Sequence, residues 1–238
     1  MITLRRSTER HYSRRRKREL WHTFYAEDPS DELAEGFGAL ETLCEYRLEP
    51  NADVPIHAHR ETDMITYVHK GALTQENSER CTGVIYASEF QRMTTARRDR
   101  CRERNASQVN RTHLFRVLLS PSRSERDFVQ EQKYFSAAER RGVLRIVASP
   151  DGRKGSLVVH SNVLIYSSIV DVGLHLVHEL HQERSAWLHV VHGEITLGDL
   201  VLITGDGVGV TTEPAVSFTA REESEILLID LSEQPATG

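Results

Sequence analysis

This 238-residue chain has little material for disulfide cross-linking, for crossing a membrane or for a strong electrostatic field. Its three cysteines, Cys44, Cys81 and Cys101, are odd in number and form no CxxC pair. That argues against a secreted disulfide framework and for a reducing compartment. No apolar run approaches the ~20 residues of a membrane helix. The opening Met1-Ile2-Thr3-Leu4-Arg5-Arg6 lacks the apolar core of a secretory signal, so a cytoplasmic protein with no membrane partner is expected. Thirty basic against 35 acidic residues leave a formal charge of −5, too mild to imply a nucleic-acid partner. The one basic run, Arg14-Arg15-Arg16-Lys17-Arg18, has no aromatic interleaving and reads as a solvated turn before the first strand. Helical periodicity is scarce too, with short candidates only near 31–34 and 136–141.

What the chain does have is β pattern. Short stretches rich in β-branched and aromatic residues recur at 63–69, 83–86, 113–119, 144–147, 157–160, 163–170, 187–191, 194–197, 200–203, 208–210, 216–219 and 225–230. Turn residues such as Lys70-Gly71, Ser149-Pro150-Asp151-Gly152 and His192-Gly193 punctuate them, which predicts sandwiches or barrels. The second half repeats the first: a histidine-rich stretch runs into a strand that ends in glycine, from His57 to Gly71 and again from His175 to Gly193. Two similar β-barrels in tandem follow, one over 1–135 and one over 136–238, with the polar stretch 129–142 as their linker.

His57-Ala58-His59 is the most informative triplet. Histidines at i and i+2 of a strand face the same side, so both imidazoles can reach one point inside a barrel. Cys101 and Glu103 have the same spacing, and two such strands side by side would converge four metal-ligating groups. Cys101 also stands among Arg97, Arg98, Arg100, Arg102 and Arg104, whose charge favours a thiolate and its oxidation. Metal ligand, redox thiol and inert buried filler therefore all remain open for it, whereas Cys44 and Cys81 read as structural. In the second half, the spacing of His175, His178, His181 and Glu183 puts only His181 and Glu183 on one strand face, which is weak for a second metal site. His22, His69, His113, His160, His189 and His192 read as packing or surface residues.

Several stretches together resemble the pirin family. They are Trp21-His22-Thr23-Phe24, Gly36-Phe37-Gly38-Ala39-Leu40, His57-Ala58-His59, Ile65-Thr66-Tyr67-Val68 and Glu89-Phe90-Gln91-x-Met93 in the first half. In the second half they are Ser149-Pro150-Asp151-Gly152-x-x-Gly155-Ser156-Leu157 and Leu227-Leu228-Ile229-Asp230-Leu231. The resemblance covers nearly the whole chain. It implies an all-β fold of two tandem cupin barrels (double-stranded β-helix, jelly-roll), with one metal in the first. The family's ligands, His-x-His followed by His-x-Glu, carry over as His57, His59 and Glu103, while Cys101 stands where the third histidine belongs. Asp63 replaces the family's usual glutamate, and 95–100 lack its glycines.

A set of two histidines, a thiolate and a carboxylate carries one more negative charge than the family's set. One divalent transition metal, zinc or iron, is the expected cofactor, with the thiolate favouring zinc. Two functions follow from the resemblance. One is a quercetin 2,3-dioxygenase-type oxygenase acting on a flavonol-like molecule, with Glu103 as the base that deprotonates it. The other is a metal- or redox-responsive module that docks on a regulatory protein partner through the Cys101 region. The chain is expected to be a monomer.

Overall fold

The computed structural model describes residues 1–25, 31–54, 62–77, 81–95, 101–120 and 129–232. The chain divides into two compact units, one of His11–Gly36 with Leu40–Phe135, the other of Met1–Arg10 and Phe37–Ala39 with Ser136–Gly238. The first strand, β1 (Ile2–Arg5), belongs to the second unit.

The N-terminal barrel is built from β2 (His11–Arg15), β3 (Arg18–His22), β4 (Leu40–Leu48), β5 (Asp53–Val54), β6 (Thr62–Lys70), β7 (Ala72–Asn77), β8 (Cys81–Tyr86), β9 (Glu89–Thr95), β10 (Arg102–Asn105), β11 (Thr112–Leu119) and β12 (Gln130–Tyr134). Its seven-stranded sheet has the order β12-β9-β6-β11-β4-β3-β2, and its four-stranded sheet the order β5-β10-β7-β8. After the short helix α1 (Ala137–Arg140), the C-terminal barrel follows with β13 (Arg145–Ser149), β14 (Leu157–Val158), β15 (Val163–Val170), β16 (His175–Glu179), β17 (Arg184–His192), β18 (Glu194–Leu197), β19 (Leu200–Ile203), β20 (Gly207–Val210), β21 (Ala215–Ala220) and β22 (Ser224–Ser232). Its sheets run β1-β20-β17-β22-β15-β13-β14 and β16-β21-β18-β19.

The two strand orders superimpose: β9-β6-β11-β4-β3 corresponds to β20-β17-β22-β15-β13, and β5-β10-β7-β8 to β16-β21-β18-β19. The repeat legible in the histidine and glycine pattern is thus a repeat of topology. Gly71 and Gly193 sit at equivalent turns, both at positive φ (83° and 93°). A Cβ at Gly71 would come within 2.7 Å of the Arg111 carbonyl oxygen, and one at Gly193 within 2.7 Å of that of Glu223, so both turns require glycine.

Four sequence expectations change. The stretch 129–142 is not a plain linker, because residues 130–134 form β12 and pair in register with β9. Its polarity hid the strand, since an edge strand needs only one side of its backbone satisfied. The basic run does not precede the first strand; it spans the hairpin of β2 and β3, turning at Arg16 (φ 48°). Residues 32–35 form a turn rather than a helix, whereas Ser136 caps α1 through its hydroxyl, which accepts from the Glu139 N–H. Residues 1–10, grouped with the first half on sequence, supply β1, whose register Ile2↔Val210 to Arg5↔Gly207 completes the C-terminal sheet.

Candidate metal centre in the N-terminal barrel

Strand parity sets which side chains enter the first barrel. On β6, Met64, Thr66 and Val68 face inward, while Asp63, Ile65 and Tyr67 take the opposite face. The inward residues form three layers. At one end Val54, Val68, Leu73, Ile85 and Leu114 make an apolar floor. At the other, Met64, Met93 and Leu118 cluster with Cys101 against them. The middle layer is polar and buried, and Glu103, Arg116, Gln75 and Gln91 compose it.

Glu103 is held by its neighbours. One carboxylate oxygen accepts from Gln75 Nε2 at 2.9 Å, and the other is ion-paired with the Arg116 guanidinium. Gln75 and Gln91 exchange a reciprocal pair of amide bonds, Nε2 to Oε1 at 2.6 and 2.8 Å. Gln130 of β12 donates to Gln75 at 2.9 Å, and Gln91 donates to Gln132 at 3.2 Å. Two residues below Glu103, Asn105 anchors β10, its amide donating to the carbonyls of Leu48, Glu49 and Asn110. Burial pulls the Arg116 guanidinium down most strongly, but the charge and hydrogen bond of Glu103 together with Tyr46 and Cys44 carry the group above its ordinary range. The pair is stable as a pair and costly to break, because either charge alone would be buried without compensation.

The expected site residues fare differently. Glu103 lies inside the barrel with its carboxylate already compensated. Cys101 follows it one layer up, half-buried, and its sulfur is in a disulfide. This differs from the sequence reading, which argues against a disulfide framework, because spacing along the sequence carries no information about which sulfurs meet in space. Cys44 is a buried thiol outside any disulfide, with its sulfur 3.1 Å from His22 Nδ1. His57 and His59 lie outside the described residues, as do Arg97, Arg98 and Arg100. Asp63 points to the other face of β6, where it accepts from Arg92 Nε at 3.0 Å in a buried pair.

Sequence reasoning missed Arg116, Gln75 and Gln130. A signal for Arg116 was present, since it shares parity with Leu114 and Leu118 in an otherwise apolar strand, which is the mark of a buried charge. The second barrel shows what that level holds otherwise. Thr66 pairs with both Arg116 and Gln91, and its counterpart Leu188 pairs with Leu228 and Val208. Continuing the Ile195↔Ala220 register as that of Leu73↔Asn105 sets Leu197 and Phe218 at the levels of Gln75 and Glu103. Every polar member of the layer is replaced by hydrocarbon. Of the second half's histidines, His178 donates from Nε2 to Asp230 at 2.8 Å, which also accepts from Arg184 Nε at 2.5 Å, and His175 bonds Thr219 and Ser217.

Comparison with known proteins gives the family of each half. Residues 5–118 match the family described as Pirin, and residues 146–231 match the quercetinase C-terminal cupin domain. The quercetin 2,3-dioxygenase of Escherichia coli K12 is 32% identical over 231 residues, covering 97% of this chain and 99% of that protein. The chain belongs to the pirin family. The bacterial pirin YhhW of E. coli in complex with nickel(II) superimposes with a TM-score of 0.89 at 31% identity, over 98% of this chain and 100% of that one. A quercetin 2,3-dioxygenase from Acinetobacter baumannii, at 15% identity and a TM-score of 0.72, shares the fold. The fold is therefore that of a pirin, nearly all-β with two cupin domains.

A pirin relative binds a metal, and this pirin's donors can be tested against that group. A carboxylate facing inward at the right strand parity fits. A disulfide sulfur does not: it carries no negative charge, and it leaves the charge of Glu103 fully offset by Arg116. In the disulfide form the described donors do not suit a divalent cation; with Cys101 reduced, the donor chemistry does.

Proposed function

We propose that this pirin acts on a flavonol-like aromatic diol inside its N-terminal barrel, as a quercetin 2,3-dioxygenase-type oxygenase, with His57, His59, Cys101 and Glu103 holding one divalent metal, zinc or iron, once Cys101 is reduced. The observation that carries the reading is the buried layer of Glu103, Arg116, Gln75 and Gln91, opposite an apolar fill in the other barrel. A folded domain retains such a layer at some cost in stability, which favours a role in binding. Similarity to proteins named quercetin 2,3-dioxygenase supports the substrate class.

Each residue then has a task. Glu103 takes the proton of a substrate hydroxyl at a carboxylate oxygen. Once it does, the Arg116 guanidinium loses its anionic partner and stabilises the phenolate that has formed. Gln75 and Gln91, locked to each other, hold the carboxylate in orientation. A metal bound there supplies Lewis-acid stabilisation of the ionised hydroxyl. The apolar lid of Met64, Met93 and Leu118 suits an aromatic ring and excludes water.

The test is oxygen-dependent loss of quercetin absorbance with reduced, metal-supplemented protein. Turnover should fall at least ~100-fold in Glu103→Gln, in line with loss of a general base. No turnover with iron, nickel, cobalt, copper or manganese overturns the reading. The disulfide at Cys101 favours one second reading, a redox-responsive module that docks on a regulatory protein. Pull-downs with reduced, oxidised and Cys101→Ser protein would then recover different partners, and identical sets refute it.

A further inference from the structure

The basic run plays no part in the buried layer of the N-terminal barrel, yet its surroundings set it apart from the rest of the charged surface. Residues 14–18 make the tip of the β2–β3 hairpin, and a cavity of about 770 Å³ opens beside it, lined by Arg15, Arg16, Lys17, Arg18 and residues 51–53. Other cations nearby are paired: Arg14 with Glu19 at 3.9 Å, Arg47 with Glu45 at 3.0 Å, Arg102 with Asp53 at 3.3 Å, and Arg111 with Glu49. The four that line the cavity are not. Among the described residues, Arg15, Arg16, Lys17 and Arg18 form no ion pair with a carboxylate. Lys17 donates to the Pro50 carbonyl at 3.5 Å and Arg18 to that of Asp53 at 3.2 Å.

This arrangement works against the hairpin itself. Arg15 and Arg18 stand directly opposite each other in register, where like charges repel. Arg16 is the first residue of the two-residue turn and holds a φ of 48°, a left-handed position that glycine or asparagine takes at less cost. The chain supplies no anion to relieve the repulsion among the four, and a bound anion would. We propose that the hairpin and its cavity bind a small molecule carrying two or more phosphate groups, such as a nucleoside diphosphate or triphosphate or an inorganic polyphosphate.

The chemistry of the lining selects that class. Guanidinium groups bind phosphate oxygens in bidentate pairs, and the Lys17 ammonium adds a compact point charge. Asp53, the acid of the lining, is already offset by Arg102, so the cavity keeps a positive balance that one singly charged group would not satisfy. The volume falls within the ~300–1,000 Å³ of small-molecule sites. A nucleic acid fits less well, because its binding calls for a basic stripe along many phosphates. Here the unpaired cations are confined to one turn of a chain with a formal charge of −5. None of these residues belongs to the layer around Glu103, so the proposal stands apart from the oxygenase reading and neither fails with the other.

The experiment is isothermal titration of the full chain with sodium tripolyphosphate, in EDTA so that no phosphate–metal bond contributes to the signal. One tripolyphosphate should bind per chain, at least ~10-fold more tightly than orthophosphate, and binding should weaken between about 50 and 200 mM salt. Arg15→Gln/Lys17→Gln should lower the affinity at least ~10-fold through loss of two charge-assisted contacts. The charge-matched Lys70→Gln/Lys154→Gln, at exposed positions elsewhere, should stay within ~2-fold of the wild type, since such distances are screened. Arg16→Gly should raise the Tm by easing the turn and still weaken binding, an outcome that a misfolded variant could not give. ATP binding more tightly than tripolyphosphate would assign the site to a nucleotide, and equal affinity would assign it to the phosphate chain alone; both uphold the proposal. No saturable tripolyphosphate binding, or an equal loss of affinity in the charge-matched variant, overturns it. Tighter binding of duplex DNA or single-stranded RNA than of tripolyphosphate at the same salt also overturns it, in favour of a nucleic-acid surface.

Discussion

The two barrels share strand order, turn glycines and register, yet one carries charge and amides at the level where the other is filled with hydrocarbon. In the C-terminal barrel, Leu188, Leu197, Val208, Phe218 and Leu228 belong to one continuous apolar cluster. Each such side chain contributes roughly 1.5–3 kcal/mol on full burial. In the N-terminal barrel, Thr66, Gln75, Gln91, Glu103 and Arg116 occupy the same levels and contribute much less net. The difference teaches that the fold is supported by the floor and the sheet packing, and that the middle level is free to be used for chemistry. Only the first barrel uses it.

The sharpest way to break this comparison is to unpair the buried charges. Arg116→Met should lower the stability of the chain by about 3–5 kcal/mol, read from the urea midpoint, because Glu103 would stay buried without its cation. Replacing both, Glu103→Leu with Arg116→Leu, makes the first barrel resemble the second and should recover most of that loss. Equal destabilisation by the single and double variants would show that the layer supports the fold after all.

A smaller effect runs in the opposite direction. Leu228→Gln puts an amide into the apolar cluster of the second barrel and should cost about 1–3 kcal/mol, since no described neighbour there offers the partner that Gln75 finds in Gln91. It should leave nickel binding unchanged. An altered nickel affinity would place metal chemistry in the second barrel.

The smallest effect is a pH slope from the outer face of the first sheet. His113 contacts Glu45 Oε1 at 2.9 Å and packs edge-on to His69. Burial holds its imidazole below the usual range, and the bond to Glu45 only partly opposes this. As the pH falls below about 6.5 the unfolded chain takes up that proton first. The stability owed to the neutral ring is therefore fully present above that pH and is lost as pH falls through the folded value. His113→Gln should flatten this part of the stability profile, and an unchanged slope would assign it to another group.

Much of this was legible beforehand. Alternation in 63–69 and 113–119 located β6 and β11. The strands β2 and β3 escaped notice because HYSRR and RELWH are largely polar, which suits β2 at the edge of the sheet and β3 beside it. The strand β12 escaped for the same reason, and Gln130 with it.

By itself the sequence determined the β architecture, the tandem repeat and the family, because alternation, turn glycines and motif order are properties of one strand at a time. Which strands become neighbours is a long-range matter, and only the tertiary structure decided it. It brought Arg116 of β11 to Glu103 of β10, carried β1 into the second barrel, and left Cys101 in a disulfide instead of an open thiolate. Those contacts join residues far apart along the chain, and local pattern holds no record of them.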